Sequence, residues 1–334
     1  MINIDINSGY KKISIPEGTT LLSGLGRNGI LLPSACGGNA RCGACKIKVL
    51  SGASDELSAA EIPLISPDEK AANFRLACQV KAERDLKIEL PQEIFSVKQF
   101  TSKLIFKNML TRDTVLLRLE LIKPDSIDFF AGQYVQIRSQ PYAGKTSVIR
   151  AYSIASSPSD KKHIELIIRK VPGGICTGWI FDYLKEGDKV YFTGSYGTLR
   201  LSDSSAPIIF IAGGSGMAPI RSMLIDMKEK KLRRRSEYFF GAITSSDLFL
   251  VDEFFTLQKD LPGFVFTPAL SCEPEGSAWH GERGLVTEVV ARHCPDCAGH
   301  EAYLCGSPGM VAACCKVLLK GGLKEDKIFY DKFV

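Results

Sequence analysis

No stretch of this sequence is apolar for anything near the roughly 20 residues that a membrane-crossing helix needs. The longest apolar run, around Pro207–Ala212, ends in glycines. No secretory leader is expected either, because Met1 leads straight into alternating Ile2, Ile4 and Ile6, which is a strand pattern. Charge is not concentrated: the net +5 is spread along the chain, so no nucleic-acid-binding arm or nucleic-acid partner is expected. The basic run Lys228, Lys230, Lys231, Arg233, Arg234 and Arg235 closes a predicted helix, where cations suit the helix dipole. Internal repeats and low-complexity tracts are absent too. Histidine is scarce, with four residues, but cysteine is not. Eleven cysteines in a chain without a leader point to ligation and burial rather than disulfides, and to the cytoplasm as compartment.

The 334 residues exceed one ordinary core, so two or three domains are expected. Residues 1–92 begin as a hairpin of Ile2, Ile4, Ile6 and Ile13, Ile15 around Asn7-Ser8-Gly9. Thr19 or Thr20 can cap a helix containing Leu21, Leu22 and Leu25. Strands are predicted at Lys46–Leu50 and Asp85–Leu90, with a second helical stretch near Ser58–Ile65. Pro91-Gln92-Glu93 marks a boundary, and the linker near Pro91–Lys98 can permit movement. Residues 99–203 read as short strands between turns, among them Val115–Leu121, Tyr134–Arg138, Ile164–Arg169 and Lys189–Thr193, which suggests a closed antiparallel barrel. Residues 206–334 alternate strands with helices, the pattern of a parallel sheet covered on both faces. The fold class is therefore multi-domain α+β and α/β.

Four cysteines carry the first chemical signal. Cys36-x5-Cys42-x2-Cys45 can wrap three thiolates around an inorganic iron–sulfur core, and Cys78 arrives as a fourth. Gly37, Gly38 and Gly43 let that loop turn tightly and aim N–H groups at the sulfurs. The alternatives are a zinc site or scattered buried cysteines. Zinc prefers two separated C-x2-C pairs, and this stretch has one.

Ser34-Ala-Cys-Gly-Gly-Asn-Ala-Arg-Cys-Gly-Ala-Cys45 resembles a plant-type [2Fe–2S] ferredoxin domain, and Arg75-Leu-Ala-Cys-Gln79 resembles its fourth-ligand turn. The first gap is five residues where the plant pattern has four. Five is expected of vertebrate-type ferredoxins and of the F subunit of sodium-translocating NADH:quinone reductase. Arg150-Ala-Tyr-Ser153 is similar to the flavin signature of the ferredoxin–NADP reductase superfamily. By that resemblance Arg150 neutralises the cofactor phosphate, Tyr152 offers a flat face to the isoalloxazine, and Ser153 hydrogen-bonds N5, where hydride lands. Gly173-Gly174-Ile175-Cys176-Thr177 resembles the pyrophosphate loop, with backbone amides and the Thr177 hydroxyl as anion ligands. Gly213-Gly214-Ser215-Gly216-Met217-Ala218-Pro219 follows a predicted strand and opens a helix, where small residues let a pyrophosphate approach. Cys305-Gly306-Ser-Pro-Gly-Met310 resembles the nicotinamide wall, with Cys305 near the reacting carbon; simple burial at a strand end is the alternative for Cys305. Phe333 is in place to cover the flavin ring, or to be a packed tail.

The resemblance covers essentially the whole chain. It implies a β-grasp [2Fe–2S] ferredoxin domain at 1–92, an antiparallel Greek-key FAD-binding barrel at 99–203 and a parallel-sheet NAD-binding domain at 206–334. It implies an enzyme in which NADH passes hydride to FAD, and a [2Fe–2S] cluster relays single electrons to an external protein acceptor. The flavin is needed because nicotinamide donates two electrons together while the cluster accepts one. NADH is favoured over NADPH, since Ile243-Thr-Ser-Ser-Asp247 offers no cation for a 2′-phosphate. In the quinone reductase, the F subunit is held in the membrane by an N-terminal helix. No such helix is read here, so a relative that does not itself span the membrane is expected. A reductase component of a multicomponent oxygenase is the alternative. A redox-responsive regulatory protein without nicotinamide turnover is an alternative of another class. His293-Cys294-Pro-Asp-Cys297-Ala-Gly-His300 lies outside the family pattern; zinc or dithiol chemistry is conceivable there, but four ligands within eight residues would strain a tetrahedral site. Cys314 and Cys315 are expected in the core.

Overall fold

The computed structural model describes residues 1–54 and 56–332, and contains three sheets in successive parts of the chain. The first grows from the predicted hairpin of β1 (Ile2–Ile6) and β2 (Lys11–Ile15). Thr20 caps α1 (Leu21–Arg27), its hydroxyl accepting from the Ser23 amide. With β3 (Lys46–Ser51), α2 (Pro67–Ala71), β4 (Phe74–Leu76) and β5 (Leu86–Glu89) the sheet order is β2-β1-β5-β3-β4, β1 and β5 running parallel. Ile4, Ile6, Ile15, Leu21 and Leu25 fill the space beneath it.

The helix expected near Ser58–Ile65 is not there. That stretch is a chain of turns, with the Leu64 and Ile65 amides both bonded to the Glu61 carbonyl. Pro63 disfavours helical backbone at Ile62, and the Glu61 side chain turns inward to bind Arg75. The helix starts later, at Ser66, which forms a reciprocal cap with Glu69 ahead of Pro67.

The second sheet comprises β6 (Lys98–Met109), β7 (Thr114–Lys123), β8 (Tyr134–Arg138), β9 (Ile149–Ser153), β10 (His163–Arg169) and, after α3 (Ile175–Asp182), β11 (Lys189–Tyr196). Its order is β10-β7-β6-β11-β8-β9, antiparallel throughout. A bridge between Ile154 and Leu166 brings the two edge strands together, so the sheet curls to a near-closed barrel. The connection from the first domain is a 3-10 turn, Gln92–Ser96, whose Phe95 ring packs 5.0 Å from Tyr10. Ile94 and Phe95 thus bind the linker to the first domain and leave Val97 as the joint.

The third sheet is parallel, as expected. It contains β12 (Ile208–Gly213), α4 (Met217–Glu229), β13 (Ser236–Ala242), α5 (Val251–Asp260), β14 (Phe264–Leu270), β15 (Glu282–Arg283), α6 (Val286–His293), β16 (Glu301–Gly306), α7 (Pro308–Lys320) and β17 (Ile328–Lys332). The strand order β15-β14-β13-β12-β16-β17 means the chain builds outward from β12 and then returns to its other side at β16. The switch point between β12 and β16 opens a crevice at the carboxyl ends of the strands. Barrel residues Leu116, Ala131, Ala155, Ile167 and Leu199 join Phe210, Ile220 and Met223 in one continuous core. Barrel and parallel domain are therefore packed as a unit, whereas the first domain has a core of its own. Among the described residues no helix is long and apolar enough to cross a membrane.

Candidate active site

The four cysteines predicted as ligands converge. Cys36, Cys45 and Cys78 are buried and Cys42 is half-buried. They stand as two pairs: the Cys36 and Cys42 sulfurs lie 3.4 Å apart, and Cys45 is hydrogen-bonded to Cys78. Among the described residues no three His, Cys, Asp or Glu side chains converge on a single-ion site. Two pairs of thiols suit a binuclear iron–sulfur core, which takes two protein ligands at each iron. Gly37, Gly38 and Gly43 all have positive φ, and so does Ala40. This winding turns amides toward sulfur: Ala44 donates to Cys42 Sγ at 3.4 Å, and the amides of Arg41, Cys42 and Asn39 face Cys36. The Cys42 thiol together with those amides, acting against burial, draws the Cys36 thiol well below its ordinary range. The donor set therefore fits the cluster.

Behind this loop a buried ion pair holds the fourth ligand's turn. Arg75 binds both carboxylate oxygens of Glu61, at 2.9 and 2.8 Å, and Glu61 also accepts from the Leu76 amide. Burial alone would raise the Glu61 carboxyl, but Arg75 and the amides outweigh it and bring it down to about 2. Sequence reading missed Glu61 because its segment was expected to be a helix.

Arg150, Tyr152 and Ser153 lie on β9, with Tyr134 of β8 directly opposite Ser153. The Tyr152 hydroxyl is buried beside the Cys176 thiol, a weak partner, and makes no close hydrogen bond. A buried hydroxyl so poorly partnered is what a bound cofactor would satisfy. Gly174 precedes the first turn of α3, where no side chain caps the amides of Ile175, Cys176 and Thr177. Uncapped amides of this kind are what an anion cradle at the helix start would require. Two side chains there have other work: the Thr177 hydroxyl accepts from the Val171 amide at 3.2 Å, and the Cys176 thiol is buried in the barrel core.

Gly213, Gly214, Gly216 and Met217 lie at the switch point, and Pro219 falls in the first turn of α4, where its missing N–H costs nothing. A Cβ on Gly213 would stand 2.8 Å from Met310 Sδ, and one on Gly216 would collide with the Cys305 carbonyl. Gly306 has φ +156° under the same methionine. The predicted nucleotide residues of β12 and of β16–α7 are thus packed against one another. Cys305 is fully buried at the end of β16, opposite Asp331 in register. Asp331 was not anticipated. Burial pushes its carboxyl up to about 6, and it lies within electrostatic reach of Cys305 and Tyr134. Phe333 lies outside the described residues.

The Cys294–Cys297 stretch gathers no metal site. His293 is taken by Glu282 at 2.8 Å, Cys294 donates to Glu237, and Cys297 is buried against the Cys294 carbonyl. Cys314 is buried and Cys315 half-buried, on α7, as expected.

Comparison with known proteins agrees with this layout. Residues 4–83 match the 2Fe-2S iron-sulfur cluster binding domain, 101–201 the oxidoreductase FAD-binding domain, and 210–316 the oxidoreductase NAD-binding domain. The chain is 33% identical to the F subunit of the Na(+)-translocating NADH-quinone reductase of Pasteurella multocida, over 99% of this chain and 91% of the relative. It is 34% identical to the corresponding protein of Klebsiella pneumoniae, over 98% and 90%. Among solved structures, Amycolatopsis cytochrome P450 reductase is similar at 30% identity and TM-score 0.80, covering 100% of this chain and 99% of that one. The ferredoxin reductase in carbazole 1,9a-dioxygenase is similar at 26% identity and TM-score 0.76, covering 100% and 98%.

Proposed function

The chain belongs to the family of NADH-dependent [2Fe–2S] flavoprotein reductases that includes the F subunit of the Na(+)-translocating NADH-quinone reductase, and from that premise we propose how its residues divide the work. The domains are read as 1–92 for the cluster, 99–203 for FAD and 206–334 for NADH. The observation that carries the reading is the contact between the cysteine loop and β9, the strand that ends in Ser153: Arg150 Nη1 donates to the Cys36 carbonyl at 3.4 Å. One strand thereby joins the cysteine loop to the residues read as the flavin site.

Bound FAD supplies the conversion from a two-electron donor to a one-electron acceptor. The chain's residues orient and insulate. Gly213, Gly214 and Gly216 admit the nucleotide's pyrophosphate to the start of α4, with Met217 and Pro219 packed beneath. Gly306 and Met310 wall the crevice beside Cys305. Arg150 and the amides of Ile175, Cys176 and Thr177, after the turn at Gly174, neutralise the flavin's phosphates. Tyr152 bounds the ring, and Ser153 presents its hydroxyl at the reacting edge; the resemblance gives Phe333 the part of covering it. Cys36, Cys42, Cys45 and Cys78 hold the cluster.

NADH rather than NADPH is the assigned donor. Glu273 accepts from the Ser245 amide at 2.6 Å beyond the end of β13, and its carboxylate would repel a 2′-phosphate while suiting a ribose hydroxyl. The acceptor is read as a protein that takes one electron at a time, meeting the loop edge where Asn39 and Arg41 are exposed and Cys42 half-buried. An oxygenase component is a specific alternative to a quinone reductase complex, favoured by the likeness to the dioxygenase and P450 reductases. No disulfide joins any of the eleven cysteines, which suits a reducing compartment such as the cytoplasm.

Rapid mixing of NADH with the purified protein tests the reading. Flavin absorbance is expected to bleach first and the cluster signal to follow. Absence of bleaching would overturn the enzyme reading in favour of a regulatory one, and bleaching with a cluster that stays oxidised would overturn the internal relay.

A further inference from the structure

Gln136 belongs to none of the signatures, yet its side chain is nearly inaccessible, with 3% of the residue exposed. It sits on β8 between Tyr134 and Arg138, on the strand face opposite Val135 and Ile137, which fill the barrel core. Its amide meets the segment that leads into the cysteine loop. Oε1 accepts from the Ser34 amide at 2.8 Å, and Nε2 donates to the Leu32 carbonyl at 3.5 Å. One side chain so satisfies a donor and an acceptor two residues apart, as a neighbouring strand would. Two residues further on, Arg150 reaches the Cys36 carbonyl. Gly37 lies so near β9 that a Cβ there would stand 3.0 Å from Arg150 Nη1 and 3.2 Å from the Ile149 carbonyl.

We infer that Gln136 is a latch, a positioning residue that seats the cluster-bearing loop on the flavin barrel in the posture where electrons cross. The inference rests on the reading of Cys36, Cys42, Cys45 and Cys78 as cluster ligands. With flavin and cluster bound, this posture would set the path by which the two electrons of a hydride leave one at a time for the acceptor, the hydride's proton going to solvent.

Two features make the latch necessary and reversible. The first domain's apolar core is complete without the barrel, so polar contacts must set its posture. The barrel and the parallel domain, by contrast, share a core and cannot part cheaply. The Gln136 amide, Ser34 N–H and Leu32 carbonyl all regain water when the domains separate, so opening costs the modest net worth of their hydrogen bonds. The linker's Ile94 and Phe95 stay with the first domain, which leaves Val97 as the pivot.

Hydrogen exchange on the holoprotein, combined with rapid mixing, tests this. Gln136→Leu is expected to speed exchange across residues 32–38 by about tenfold and to leave β1, β2 and β5 unchanged. Flavin bleaching by NADH should keep its wild-type rate, while cluster reduction slows by about tenfold. Gln136→Glu keeps the acceptor for Ser34 and loses the donor to Leu32, so both effects should be intermediate. It also guards against a misfolded leucine variant. Wild-type exchange at 32–38 in both variants, or cluster reduction at the wild-type rate despite faster exchange, would overturn the latch. Failure of NADH to bleach the wild-type flavin would instead overturn the functional reading and leave the exchange result standing.

Discussion

Glu61 is a buried carboxylate and Asp331 a half-buried one, and their surroundings drive them in opposite directions. Glu61 faces Arg75 and backbone amides, so its carboxyl titrates near 2 in the folded chain. A carboxyl lowered on folding contributes stability above its unfolded value near 4.5, and that stability is lost as pH falls toward 2. Glu61→Gln should therefore destabilise the first domain at pH 7, by roughly 3–5 kcal/mol if Arg75 is left uncompensated. Denaturant titrations at pH 7 and pH 3 would check this: the gap between the two proteins should narrow at the lower pH. Burial raises the Asp331 carboxyl to about 6 from an ordinary 3.8. A raised carboxyl costs stability as pH climbs from about 4 through about 6, because the folded chain must then give up a proton it holds more tightly than the unfolded one does. Asp331→Asn should remove that decline and raise stability at pH 7.5, by on the order of 1–2 kcal/mol after allowance for partial solvent access. A melting series from pH 4 to 8 reads the slope directly.

At the scale of elements, the crevice between β12 and β16 depends on the absence of a single carbon. Gly216 sits where any Cβ would run into the Cys305 backbone, and backbone cannot swing aside as a side chain can. Gly216→Ala should therefore push α4 away from β16, with a stability cost of roughly 1–3 kcal/mol. NADH should bind more weakly while the cluster spectrum stays normal; titration of the flavin signal with NADH, beside a visible spectrum, separates the two. Gly309, in the first turn of α7, has open space around its would-be Cβ and serves as the control, since Gly309→Ala should leave binding nearly unchanged. Likeness of sequence does not distinguish these two glycines; the packing around them does.

Across the whole molecule, a network around Arg221 complements the shared core. From α4 it donates to Glu253 at 2.7 Å, to Glu165 at 2.7 Å and to the Ala155 carbonyl at 2.9 Å, joining the parallel domain to the barrel. Nearby, Ser222 donates to the Ser156 carbonyl at 2.6 Å. Arg221→Met would fill much of the volume but leave Glu253 without its cation and Glu165 with only Arg118, 3.6 Å away. We expect a loss of roughly 3–5 kcal/mol and release of flavin at lower temperature, because barrel and parallel domain would loosen together. Calorimetry with flavin fluorescence as a second probe reads both, and melting of the first domain should not move with them.

Chemistry that depends on residue type and local spacing was legible in the sequence alone. The cysteines at 36, 42, 45 and 78, the glycines that wind their loop, the antiparallel middle and the parallel end all follow from short-range pattern, since turns, caps and strand periodicity are set by neighbours in the chain. The latch of Gln136 on Ser34, the buried pair of Glu61 with Arg75 and the Asp331 carboxyl beside Cys305 were decided only in the tertiary structure. Each joins residues from separate elements, and their burial, which sets both partners and proton affinity, is created by packing that no local pattern encodes. The missed turn at Ser58–Ile65 has the same cause. A helix was expected there, but the inward pairing of Glu61 with Arg75 and the backbone limits of Pro63 favour turns.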